Sequence, residues 1–165
     1  MGKIHNLYVE CYLDTMLITA LGFEPNGVHQ SNSYVINSIV KCKIKAVGII
    51  DKDKAKNLPS NLKKFIPVDE DKDNNLEFYV FENRFLVKVC RDVEHWLWHC
   101  NQQLDNPIEF PGKDVEGLKK ISKKKIELEK NQKEINNFLN TLIQKNPPAI
   151  KKLRLYLHNH FKNQY

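Results

Sequence analysis

The sequence has no apolar run near the roughly 20 residues that a membrane-spanning helix requires, which speaks against an integral membrane protein. Its opening residues, Met1-Gly2-Lys3-Ile4-His5-Asn6, lack the apolar core of an export signal, so the cytoplasm is the expected location. There is no C-x-x-C pair. The four cysteines, Cys11, Cys42, Cys90 and Cys100, fall within segments patterned as strands or helices, which argues against a zinc ribbon and for reduced, mostly buried thiols. A calcium loop is missing too. Asp69, Asp71 and Asp73 are spaced like its first three ligands, but Val80 stands where the bidentate acid belongs and no glycine holds the sixth position, so Asp69 to Asn75 reads as a charged turn. The chain has no internal repeat, and its C-terminal third has too few aromatics for a base-stacking platform.

What is present is ordinary in amount and uneven in placement. The 165 residues are 41% hydrophobic and 28% charged, the composition of a globular protein with one core. From Lys113 to Tyr165 there are 13 Lys and Arg against 5 Asp and Glu, a net +8, which leaves −2 for the first 112 residues. The basic part, densest at Lys123, Lys124 and Lys125, is either a nucleic-acid surface or a solvated helix face.

The hydrophobic spacing predicts a strand at 4–10 and a helix at 12–21 closed by Gly22. A short strand follows at 27–30, then a helix at 33–42 and a strand at 44–50 that is apolar at nearly every position from Ala46 onward. Alternating strands and helices predict a mostly parallel, Rossmann-like sheet with helices on both faces. Leu76 to Phe81 and Phe85 to Cys90 read as a strand pair, and Asp92 as the cap of a helix at 93–104. Pro107 and Pro111-Gly112 mark a boundary between an α/β domain, 1–112, and a basic extension, 113–165. Two helices are expected in the extension, separated by Pro147-Pro148 and packed on the same domain or on a partner.

Chemistry concentrates at strand ends. Ala46-Val47-Gly48-Ile49-Ile50 runs into Asp51-Lys52-Asp53, and Leu7-Tyr8-Val9 runs into Glu10, with Asp14 one helical turn later. Hard carboxylate oxygens at the carboxyl ends of buried parallel strands suit a divalent cation. In these residues the chain resembles the Toprim family, shared by topoisomerases, DnaG-type primases and overcoming-lysogeny-defect nucleases, and is most similar to its small single-domain bacterial members. The family's E-G-x-x-D after its first strand is matched by Glu10 and Asp14, with Cys11 in the glycine's place, and its D-x-D by Asp51 and Asp53. His29-Gln30-Ser31 and Val93-Glu94-His95-Trp96 are similar to two further motifs, and the likeness spans about residues 4–104.

The resemblance implies a Toprim-like fold and magnesium-dependent cleavage of nucleic-acid phosphodiesters, with Mn2+ as a substitute for Mg2+. Asp51 and Asp53 would hold the cation, Glu94 would complete its shell, and Glu10 would be a ligand or exchange protons. The alternative is a non-catalytic Toprim-like module inside a larger nucleic-acid or defence-related assembly. Asp14, His29 and Arg91 are candidate phosphate or substrate contacts. Each also has a plainer reading: Asp14 as a dipole-favoured first-turn acid, His29 as a surface side chain, Arg91 as a partner of Asp92. A haloacid-dehalogenase phosphatase also begins with D-x-D, but its pattern continues with Thr or Val where Ala55 stands here. His95 and His99, one turn apart beside Cys100, could hold zinc, although Trp96-Leu97-Trp98 suggests a packed face.

Overall fold

The computed structural model describes residues 6–26, 31–52 and 59–161 of the protein. The expected strand at 27–30, with His29, lies outside the described residues, as does Asp53. The elements run β1 (Leu7–Val9), α1 (Tyr12–Ala20), α2 (Asn32–Lys41), β2 (Ala46–Asp51), a 3-10 turn (Ser60–Lys64), β3 (Ile66–Asp71), β4 (Leu76–Phe81) and β5 (Arg84–Val89). Five helices follow: α3 (Val93–Gln102), α4 (Val115–Ser122), α5 (Lys125–Lys130), α6 (Gln132–Lys145) and α7 (Pro148–Phe161).

The strands form one mixed sheet in the order β1-β2-β5-β4-β3. β1, β2 and β5 pair in parallel, whereas β4 runs against both β5 and β3, so four of the five strands point the same way. β2 is buried at all six positions because helices lie over both of its faces. On one face Val35, Ile36 and Ile39 of α2 meet Ala46, Ile50 and Leu86. That approach depends on Gly48, where a Cβ would stand 2.8 Å from Val35 Cγ1 and 3.1 Å from Ile39 Cδ1. On the other face a single core joins Leu7, Val47 and Val87 of the sheet to Leu13, Trp96, Leu139, Leu153 and Phe161 from α1, α3, α6 and α7.

Two sequence expectations change. Asp69 to Asp71 belong to β3 and not to a turn: Asp69, Glu70 and Asp71 pair with Phe78, Glu77 and Leu76 of β4, and only the residues between Asp71 and Leu76 reverse the chain. β3 is the sheet edge, where exposed side chains need no apolar alternation, and Pro67 and the irregularity between Pro67 and Asp69 are devices that keep an edge from pairing further. The basic extension contains four helices, not two. α4 ends before the exposed pair Lys123-Lys124, and Asn131 separates the short α5 from α6. Asn146, left-handed at φ 52°, then closes α6, and Pro148 opens α7, where its missing N–H costs nothing.

α7 gives the fold a pH dependence. The His160 ring lies 4.1 Å from the Phe85 ring and 4.3 Å from the Tyr156 ring. Burial, helped by the charge of Lys45, lowers its pKa from 6.5 to about 4. The unfolded chain therefore takes up a proton before the folded one does. The stability conferred by the neutral ring is complete above pH 6.5 and fades as the pH falls toward about 4. The loss is at most about 2 kcal/mol, since the ring is only half-buried. Urea unfolding at about pH 7.5 and 4.5 should show this slope in the wild type and a smaller one in His160→Phe; equal slopes would assign it to other groups.

Candidate functional site

Parallel pairing brings the two strand-end acids together. With Val9 opposite Ile49, Glu10 and Asp51 leave the sheet at the same end, and the Asp51 N–H donates to Glu10 Oε2 at 2.5 Å. Asp51 Oδ1 in turn accepts from the N–H of Val93 at 3.1 Å, which ties β2 to the first turn of α3. Asp14 sits in the first turn of α1 and Glu94 in that of α3. All four carboxylates are buried: Glu10 is 5% exposed, Asp14 2%, Asp51 2% and Glu94 7%. Burial, and then the charges of Asp51, Glu10 and Glu94, push the Asp14 carboxyl well above the usual range, against the donor effect of Cys11.

Burying an ion costs several kcal/mol, whereas a helix N-terminus returns at most about 2 kcal/mol. Two such termini offset only part of the cost of four buried carboxylates. Burial and the neighbouring acids favour the protonated form at Asp14. The cluster's donors are all carboxylate oxygens, which fit a hard divalent ion by chemistry. Among the described residues, no three Asp, Glu, His or Cys side chains converge as a metal shell.

Cys11, at the position where the resemblance expects a glycine, is unstrained. Its φ of −138° is ordinary extended backbone, and both its N–H (3.2 Å) and its thiol (3.1 Å) donate to Asp14 Oδ2. The spacing of Cys11 and Asp14 was visible in the sequence, but the thiol's part in holding the acid was not legible there.

Arg91 is exposed in the turn between β5 and α3, at a left-handed φ of 63°. Asp92 bonds the backbone N–H and Nδ1 of His95 (2.9 and 2.7 Å), and Lys119 Nζ lies 3.0 Å from its other oxygen. Those contacts hold the Asp92 carboxyl at a pKa of about 2, although burial alone would raise it. His99 Nε2 meets the carbonyl of Asp73 at 2.8 Å and Cys100 is in the core, so the two histidines belong to a packed helix face. Lys123, Lys124 and Lys125 are exposed.

Lys119, from the extension, is a site residue that sequence reasoning missed, because its approach to Asp92 is purely tertiary. Another is Lys52, between the two aspartates, whose Nζ lies 2.5 Å from the buried Glu77. Burial alone would raise the pKa of Glu77, but Lys52, the Tyr79 hydroxyl and the Cys90 thiol together keep it below the ordinary value. The chain matches no protein-family model, no curated protein and no solved structure.

Proposed function

We propose that the protein is a magnesium-dependent, Toprim-like enzyme that cleaves phosphodiester bonds in nucleic acid. The observation that carries this reading is the meeting of Glu10 and Asp51 at adjacent parallel strand ends, with Asp14 and Glu94 buried around them. Asp51 and Glu94, with Asp53 two residues beyond Asp51 in the chain, would hold the cation, and Mn2+ would substitute for Mg2+. When bound, such an ion neutralises phosphoryl charge and lowers the pKa of a water. Glu10 would accept a proton from an attacking water and return it to the leaving oxygen, with its bond to the Asp51 N–H fixing its direction.

A non-catalytic nucleic-acid-binding module is the second reading, favoured by the exposed basic run Lys123, Lys124 and Lys125. Incubation with single- and double-stranded DNA and RNA across a magnesium and manganese titration separates the two. Metal-dependent cleavage abolished by Glu10→Gln supports the enzyme; binding without cleavage supports the module. Glu94→Gln should keep the fold, because the amide has the same shape, and weaken manganese affinity about tenfold or more through the lost charge. Unchanged manganese affinity by isothermal titration would return Glu94 to the role of a helix-dipole partner.

A further inference from the structure

Beside the carboxylate cluster, α4 and the start of α1 enclose a cavity of about 190 Å³. Tyr12 and Leu13 border it from the first turn of α1, Glu94 from α3, and Lys119, Ser122 and Lys123 from the basic extension. Three features give it the chemistry of an anion site. The first turn of α1 presents the positive end of the helix dipole. Lys119 is held in place by Asp92, and Lys123 stands exposed at the rim. Ser122 is only 6% exposed, and its Oγ has no hydrogen-bond partner among the described residues. A buried hydroxyl in that state is costly, and a turn of the side chain about Cα–Cβ toward the cavity would let a ligand oxygen relieve it.

The size narrows the ligand. Pockets for whole small molecules run to about 300–1,000 Å³, so this one takes a group and not a cofactor. We infer that it is a subsite for one phosphate of a single nucleic-acid strand, adjacent to the phosphate that reacts at the carboxylates, held by Lys119, Ser122 and Lys123. The inference rests on the proposed metal reading in one respect. Asp92 and Glu94 balance the two lysines, so the cavity becomes net positive once a cation neutralises the cluster. Phosphate should therefore bind more tightly in magnesium than in EDTA. The extension then does more than cover the sheet: it supplies the side chains that set the strand's register.

The test is a titration of the full chain with inorganic phosphate, followed by backbone amide shifts in two-dimensional NMR, in EDTA and in magnesium chloride. Wild type, Ser122→Ala and Lys123→Gln are compared. Saturable shifts are expected at Tyr12, Leu13, Lys119, Ser122 and Lys123. Each substitution should weaken affinity about tenfold, the worth of one charge-assisted hydrogen bond, without lowering the melting temperature. A short single-stranded DNA should displace phosphate from the same amides. Magnesium-induced shifts at the carboxylates without any phosphate response would overturn the subsite and leave the metal reading standing. Phosphate shifts at these amides with no response to magnesium would keep the subsite and remove the metal. Phosphate that binds there but is not displaced by DNA, or shifts scattered over exposed lysines and unchanged by Ser122→Ala, would overturn the assignment.

Discussion

In metal-free buffer near neutral pH, Asp51→Asn should melt about 3–6 °C above the wild type, and in millimolar magnesium the order should reverse. The amide keeps the shape of the carboxylate and still accepts from the Val93 N–H, so the tie between β2 and α3 survives. It removes one of the charges that act on Asp14. Relief of repulsion between neighbouring buried carboxylates is worth on the order of 1.5 kcal/mol, and each kcal/mol moves the melting point of a domain this size by about 2–4 °C. The wild type alone gains from the metal, because a ligand stabilises only the state that binds it. Scanning calorimetry in EDTA and in magnesium gives both signs. A less stable Asp51→Asn in EDTA, together with a wild type indifferent to divalent ions, would make the acids structural acceptors and end the catalytic reading.

The second large effect is expected at Gly117. A Cβ there would lie 1.7 Å from the carbonyl oxygen of Gly112 and 2.6 Å from its carbonyl carbon, and both obstacles are backbone. Gly112, left-handed at φ 70°, is as tightly placed: its own Cβ would meet Gly117 at 2.3 Å. Gly117→Ala must push α4 off the loop that precedes it, at a cost of about 3 kcal/mol, and should displace Lys119 and Ser122 with it. Gly22 is the contrast, with φ 95° but nothing within 4 Å, so Gly22→Ala should cost only about 1–2 kcal/mol through backbone strain. Denaturant melts of the two variants would show the difference; equal losses would mean that α4 can slide without penalty.

The parts legible in the sequence were those whose physics is local. The unbroken apolar run of β2 announced a strand covered on both faces, and the acid that closes it could only emerge at the strand's carboxyl end. Glu94 was visible because a helix began directly after a strand. β3 was hidden: Asp69-Glu70-Asp71 runs on into a polar stretch that ends at Asn75 and so reads as a turn, and only pairing with β4 makes it strand. Lys119 and Ser122 were hidden as well, since nothing near them in the chain carries the acids they approach. The break of the extension into four helices depended on where Lys123-Lys124 and Asn131 fell against the core, which spacing alone does not give.

Phe161 is fully buried, with its ring 6.1 Å from that of Phe23. The carboxylates come from residues 10 to 94, yet the apolar floor beneath them is closed by a side chain near the far end of α7. During synthesis, at about 5–20 residues per second, the acid-bearing strands leave the ribosome seconds before that floor can form. Until then four mutually repelling carboxylates have no packed core to hold them together. A nascent or prematurely terminated chain that stops short of α7 should therefore lack part of the core that packs beneath the acids, and any activity of the proposed site would begin only once α7 has been made.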